Sequence, residues 1–360
     1  MLIGLVAPPG TRAERPHAAG DEPVAVSNVG DPNVGDLSMG TRCTARPNAP
    51  AIAPWQSLAP GLWWLPGAAG DSDAGNRGAI SNLLLAIDGE RTWLIGGGPS
   101  LAYGRALAAD IGCRLGRTVT DAVAPWPRPE LVLGLAGLSD PTTAAAPVRL
   151  WAHADVAAAM DERCSHCVER LALRLAEHAD DLGDPRQIPR PDHLLPGAAG
   201  ELGPWRWWRI ERTPGTATTV WQHQPSGVVS AHGLSWSDGA PDLRDATLEG
   251  ILAAVERLLD LQASLGADPA VQPPRWVPEQ GPVDTPSARS APAAQAAYWR
   301  ALREAVDAAL AAGQGETEPP PARLPGVPSE LTQGERHALN WQRAWRERED
   351  KAFDAASGAP

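Results

Sequence analysis

Residues 119–134 read VTDAVAPWPRPELVLG. The apolar run TDAVA (120–124) has the length and composition of a buried strand. It stops at Pro125, and prolines at 125, 127 and 129 impose an extended turn. A helix start follows this turn. This strand–turn–helix unit fixes the reading of the segments around it.

Upstream, APGLWWLPG (59–67) suggests a first strand. ISNLLLAI (80–87) and RTWLI (91–95), joined through Asp88-Gly89, predict a hairpin. The Gly-rich turn 96–100 leads into a helix over 101–115. Downstream, VRLWAH (148–153) predicts a strand and 154–178 a helix. WRWWRI (205–210), TTVWQH (218–223) and GVVSA (227–231) form a second set of strands, the last two joined by a turn at 224–227. The segment 247–262 is an amphipathic helix with Leu248, Ile251, Leu252, Val255 and Leu258 on one stripe. RWVP (275–278) reads as a short strand and 293–313 as a long helix ending at Gly313. Each half has strands followed by helices, which predicts an α/β fold of two packed sheets with helices outside, an αββα sandwich. Residues 1–54, rich in Gly, Pro and Asn without a period, read as a disordered arm. The main domain spans 55–313, a Pro-rich linker 314–328, and a charged C-terminal helix and tail 329–360.

The 360 residues hold 15 Trp against two Tyr and one Phe, together with 36 Gly and 37 Pro. A net charge of −12, with arginines interleaved among acids, argues against a nucleic-acid partner. No apolar run reaches the roughly 20 residues of a membrane span. The start MLIGLVAPPG lacks a basic region before its apolar residues and does not read as a signal peptide. Four cysteines, Cys43, Cys113, Cys164 and Cys167, are too few for a disulfide scaffold. Cys113 is expected in the core. Cys164 and Cys167 form a C-x-x-C at helical spacing. It reads as an inert or structural pair, as a disulfide in an exported protein, or as a redox dithiol. His153 and His193, lacking partner spacing, read as hydrogen-bonded or surface residues. Gly96–Gly98 does not make a dinucleotide loop, because Leu101 stands where a third glycine is needed.

The order of motifs over residues 58–313 resembles the metallo-β-lactamase superfamily. Asn76-Arg77-Gly78 with Ile80-Ser81-Asn82 is similar to the opening of one branch. Ile95–Ser100 sits where the superfamily has an Ile-Asp-Thr-Gly-type turn, with Gly96 in place of Asp. Residues 119–134 fall on the His-x-His-x-Asp-His segment, Trp151-Ala152-His153 on the next strand, and Arg212-Thr213-Pro214-Gly215 on His-Thr-x-Gly. Gly227–Leu234 falls on the strand carrying the bridging Asp, with Gly233 there. Val277–Pro282 falls on Val-Pro-Gly-His-Gly-Pro. The branch most resembled is the zinc metallohydrolases of quinoprotein relay systems. Arg163-Cys164-x-x-Cys167 and His337-x-x-Asn340-x-x-Arg343-x-x-x-x-Glu347 also resemble it.

The resemblance implies two zinc ions in active relatives, but the ligand positions here hold Trp126, Arg128, Glu130, Leu131, Arg212, Gly233 and Gln280. Indole, guanidinium and leucine do not ligate zinc. A one-residue slip admits His232, and Glu130 with His232 is still too few for a hydrolytic site. No cofactor is therefore expected.

Two readings of the residues left in the cleft stay open. In one, Arg128, Arg212 and Glu130 fill a polar hole and pair with each other, and the tryptophans fill volume. In the other, the arginines form an anion pocket and the tryptophans stack on an aromatic ligand. The candidate pocket is Trp126, Arg128, Glu130, Arg212, His232 and Gln280, with Trp205, Trp207, Trp208, Trp236 and Trp276 as possible neighbours. Trp207 and Trp208 must face opposite sides of their strand.

Three functions fit. The first is a non-catalytic binding or accessory protein, a pseudoenzyme, whose partners are a small anionic or aromatic ligand or a protein of a PQQ-dependent alcohol-oxidation system. The resemblance alone implies a periplasmic location. The second is a hydrolase with a non-standard or single metal held near Glu130, His232 and Gln280. The third is a thiol-redox accessory using Cys164 and Cys167.

Overall fold

The computed structural model describes residues 48–139, 147–184, 188–267, 273–283 and 289–357. Most of the expected arm, residues 1–47, lies outside them. All described residues belong to the compact unit Asp36–Pro360; the other unit, Met1–Gly35, is outside the described residues.

The first sheet follows chain order: β1 (Gln56–Ala59), β2 (Leu62–Leu65), β3 (Leu83–Asp88), β4 (Arg91–Ile95), β5 (Asp121–Ala124), β6 (Arg149–His153) and β7 (His193–Leu195). Strands β1 to β4 pair antiparallel and β4 to β7 parallel. The second sheet contains β8 (Ala199–Leu202), β9 (Trp205–Thr213), β10 (Thr216–His223), β11 (Val229–Ser230) and β12 (Trp276–Val277), in the order β12-β11-β10-β9-β8. Helices α1 (Leu101–Leu115), α2 (Pro129–Val132), α3 (Leu135–Leu138) and α4 (Ala154–Leu175) follow strands of the first sheet. Helices α5 (Leu248–Leu265), α6 (Pro292–Ala311) and α7 (Glu335–Ser357) follow the second.

The side-chain period of two sorts each strand between two layers. On β3, Leu83 and Leu85 join Leu107, Ile111 and Val156 under the first helices, whereas Leu84 and Ala86 enter the space between the sheets. Both faces are buried, so the strand reads as an unbroken apolar run. On β9, Trp205 and Trp207 point between the sheets, and Trp208 packs with Ile210 against α5 and α6. The inter-sheet layer also holds Trp64, Trp93 and Trp221. Packed sheets stand about 10 Å apart, a gap that indoles fill, which accounts for much of the tryptophan excess. Of the other tryptophans considered as pocket neighbours, Trp236 is the buried bridge partner of Gln280, and Trp276 is part of the α5–α6 core.

Four details differ from the sequence reading. The strand expected over 59–67 is the hairpin β1–β2. Pro60-Gly61 makes its turn, with Gly61 at φ 74°, and Pro-Gly is the natural centre of such a turn. The helix expected to 178 ends at Leu175 and continues as a 3-10 helix, Ala176–Leu182. The short strands β7 and β8 carry too few residues to show a period. Cys113 is exposed on α1, not in the core, and is disulfide-bonded.

Helix α7 closes the second half. Trp341 and Trp345 enter the α5–α6 core. Asn340 accepts from Leu243 N–H at 3.1 Å and donates to the Pro241 carbonyl at 2.6 Å. The Glu347 carboxylate accepts from the first amides of α5, Leu248 and Glu249. A carboxylate there neutralises the positive end of the helix. Residues of the tail motif thus fix the loop 240–248 that edges the cleft.

Candidate functional site

The cleft lies beyond the C-terminal end of β5. Pro125 stitches its turn to the second sheet. Its carbonyl accepts from Thr219 N–H at 2.8 Å and from Thr219 Oγ1 at 2.9 Å. Arg128 then occupies the N-cap of α2, with Pro129 inside the first turn.

The Arg128 guanidinium lies among three carboxylates. Its Nη1 stands 2.6 Å from Glu279 Oε1 and 3.5 Å from Asp242 Oδ2, and its Nε 3.3 Å from Glu130 Oε2. All four side chains are buried. Each acid has a further donor: Ser72 Oγ to Glu130 at 2.9 Å, Gly233 N–H to Glu279 at 2.9 Å, and Arg244 N–H to Asp242 at 2.8 Å. Burial opposes charge on Arg128, yet Glu279, Glu130 and Asp242 outweigh it and raise its pKa. Burial likewise acts against the charged Glu130, and Arg128 and then Arg244 reverse this and lower its pKa. For Asp242 burial is again overcome, by Arg244, Arg128 and Arg336, which hold it well below the usual carboxylate range. The cluster is a network of charges that neutralise one another.

Arg212, at the end of β9, does not share these acids. It is fully buried, donates to the Asp242 carbonyl at 2.7 Å and the Arg244 carbonyl at 3.1 Å, and lies 4.2 Å over the Trp126 ring. Burial pulls its pKa down to about 10 against the nearby carboxylates. It remains charged at neutral pH, and the indole face supplies a cation–π contact. The expectation that Arg128, Arg212 and Glu130 pair with each other is corrected: only Arg128 pairs with Glu130, and Arg212 turns to carbonyls and an aromatic face. Asp242 and Glu279 also enter the cluster.

His232 is buried with both ring nitrogens engaged. Ser230 Oγ lies 2.6 Å from Nδ1 and the Asn82 carbonyl 2.8 Å from Nε2. The carbonyl can only accept, so Nε2 donates and Nδ1 accepts from the serine hydroxyl. Burial lowers the His232 pKa, which favours this neutral form. Gln280 donates to the Gly70 carbonyl at 3.3 Å. It and His232 brace the wall behind the cluster. His153 caps α4, accepting from Asp155 N–H through Nδ1 and donating through Nε2 to the Gly197 carbonyl. His193 stacks on Trp151 with ring centroids 4.4 Å apart.

The donor set does not fit a zinc ion. A cationic guanidinium holds the acids that could serve as ligands, and His232 offers no free lone pair. At Gly233, where the superfamily's bridging Asp would stand, φ is +77° and a Cβ would lie 3.0 Å from Trp126. Among the described residues, no group of three or more His, Cys, Asp or Glu is arranged to hold a metal.

Cys164 and Cys167 are free thiols, not a disulfide. Cys164 packs into the core, and burial, aided by Cys167 and Asp161, pushes its thiol up to about 12. That is opposite to the depressed pKa a reactive thiol needs. Cys167 faces the cleft, with Arg170 Nη2 at 3.5 Å from its sulfur.

In front of Arg128 the cleft encloses about 340 Å³. Trp126, Arg128, Glu130 and Asp242 form its inner end, α4 supplies Arg170 and Arg174, and α7 supplies Arg343.

Among solved structures, the chain is similar to metallo-β-lactamase FIM-1 from Pseudomonas aeruginosa in its mono-zinc form. The TM-score is 0.50 and the identity 16%, over 68% of this chain and 95% of that one. DIM-1 metallo-β-lactamase exposed to ceftazidime gives a TM-score of 0.50 at 12% identity, over 69% of this chain and 97% of that one. The chain has the metallo-β-lactamase fold. No family model matches it. No curated protein sequence matches it either. Identity this low speaks to the fold and not to activity. Asp242 and Glu279 were missed by sequence reasoning. Glu279 adjoins Gln280, the residue aligned with a ligand position, so a search one residue either side would have found it.

Proposed function

We propose that this protein is a non-catalytic member of the metallo-β-lactamase fold that works by binding, as an accessory protein, with Arg128 as the fixed cation of the former metal cleft. The buried contact of Arg128 with Glu279, Glu130 and Asp242 carries this reading. A guanidinium anchored by three acids stands permanently where a metal cation would, with Arg244 and Arg336 offsetting the acids' remaining charge. It cannot polarise a carbonyl as a Lewis acid does, nor lower the pKa of a bound water, which are the tasks of a hydrolytic metal. The site keeps the shape of a binding cleft without a nucleophile generator.

The test is the metal content of untagged protein purified from medium supplemented with zinc, iron and manganese. Less than about a tenth of an equivalent is expected from a donor set this poor. One or two equivalents, removable by a chelator, would restore the hydrolase reading.

A role in a quinoprotein alcohol-oxidation system is supported by the sequence motifs alone, with a disulfide at Cys113 in keeping with an oxidising compartment. Its test is growth of a deletion strain on alcohols that need PQQ-dependent oxidation. Undiminished growth would remove this assignment and leave the non-catalytic reading standing.

A further inference from the structure

The cleft is rich in positive charge although the chain as a whole carries −12. Arg128, Arg170, Arg174, Arg244 and Arg343 line it against Glu130, Asp242 and Asp245. The inner acids are already engaged by Arg128. Asp242 is also shared by Arg244 and Arg343, each at 3.6 Å, beyond good hydrogen-bond distance. Arg174 makes no ion pair among the described residues, and Arg170 touches the Cys167 sulfur while Asp245 and Glu130 act on it at longer range. Both are exposed. They stand at i and i+4 on α4, where like charges face each other and repel. Asp245 and Glu130 offset this repulsion only from a distance, and an anion between the two guanidinium groups would relieve it further. The apolar lining is equally specific. Leu173 on the same helix is 83% exposed and borders the cleft with Leu171, Leu339 and Trp126.

We propose that this cleft binds an organic dianion with an apolar, preferably aromatic, body. Arg170 and Arg174 hold one anionic end and Arg343 the other, while Trp126, Leu171 and Leu339 cover the body. Guanidinium forks suit carboxylate and phosphate oxygens, and guanidinium groups on two sides of the cleft favour two charges over one. The volume lies within the range that encloses small ligands. The proposal deepens the binding reading given above, because it needs Arg128, not a metal, at the inner end. Aromatic dicarboxylates and carboxyaryl phosphate esters share the required chemistry.

Titration calorimetry at low salt with terephthalate and with 4-carboxyphenyl methyl phosphate, using neutral terephthalamide as control, tests it. Binding in the micromolar to submillimolar range is expected for at least one dianion, and the tighter of the two names the source. It should weaken at least about tenfold in the double variant Arg170→Ala/Arg174→Ala and in Arg343→Ala, and weaken as salt screens the charges. Both arginines of the double variant are surface residues whose like charges repel, so its melting temperature should equal or slightly exceed the parent's and exclude misfolding. No heat with either dianion at several millimolar, or equal affinity in the arginine variants, would overturn the proposal. Repeating the titration in excess chelator separates the two failures. Binding that survives the arginine changes and disappears with chelator reports a resident metal and sinks the non-catalytic reading as well.

Discussion

Arg128 Nη1 and Glu279 Oε1 stand 2.6 Å apart with both side chains buried, one from the turn after β5 and the other from the turn after β12. The contact joins the two sheets of the sandwich at the end that forms the cleft. Taking both charges out of water is expensive, and their attraction works against this together with Glu130 and Asp242 beside the guanidinium and the hydrogen bonds that Ser72 and the Gly233 amide give the acids.

Removing the cation should expose that dependence. Arg128→Ala leaves three buried carboxylates facing one another, and loss of one partner of a buried pair costs about 3–5 kcal/mol. The denaturation midpoint should fall accordingly. Millimolar calcium or magnesium, hard cations that accept carboxylate oxygens, should restore part of the loss in the variant and leave the parent unchanged. A variant as stable as the parent would show that the network contributes little.

Acid should act on the same cluster, and the sign follows from which form the fold prefers. Glu130 and Asp242 are held below their ordinary values by Arg128 and Arg244. In the unfolded chain such groups titrate at about 4. Their contribution is fully present above that value and is lost as pH falls toward the folded pKa values. His223 adds an earlier step: burial lowers its pKa to about 4, against about 6.5 when unfolded. Between these values the unfolded chain takes up a proton that the folded chain refuses, so stability falls with pH. Melting temperature should be level from pH 8 to 7, decline below about 6.5 and drop more steeply below about 4.5. His223→Gln should lessen the first decline, the rest of which comes from His232 and His337, whose pKa values burial also lowers, and leave the second.

How far the sequence revealed this molecule depends on what each signal measures. The α5 stripe and the opposed faces of Trp207 and Trp208 are local periodicities, and the structure has them where the residues place them, whereas the hairpin turn expected at Asp88-Gly89 falls one residue later, on Gly89-Glu90 with Asp88 paired to Arg91. The β1–β2 hairpin was hidden because LWWL (62–65) dominates its window while the Pro-Gly turn lies just before it. The site was legible in part. Trp126, Arg128 and Glu130 lie close in sequence and meet in space. Asp242 sits in a loop without a period, and its approach to Arg128 depends on Asn340, about a hundred residues later, fixing Pro241 and Leu243. No local pattern encodes such a contact. The fate of Arg212 was equally non-local, since carbonyls of residues 242 and 244 and the ring of Trp126 compete for its guanidinium.

Gly250 offers a test of how tightly Arg212 is positioned. It lies in the first turn of α5, where the Thr247 hydroxyl caps its amide at 3.0 Å. Alanine favours a helix over glycine by up to about 1 kcal/mol, so propensity alone predicts a gain. A Cβ at this position, however, would fall 2.1 Å from the Arg212 carbonyl oxygen. That atom belongs to β9 backbone and cannot rotate away, so α5 must lift from the strand. Overpacking of this kind costs about 1–3 kcal/mol and should outweigh the propensity gain. Gly250→Ala should therefore lower the melting temperature. It should also loosen Arg212 from Trp126, seen as a change in tryptophan emission that is absent when the comparison is made in a Trp126→Phe background. An unchanged or higher melting temperature would mean that the helix and strand are free to separate at this point, and that Arg212 is held by its side chain alone.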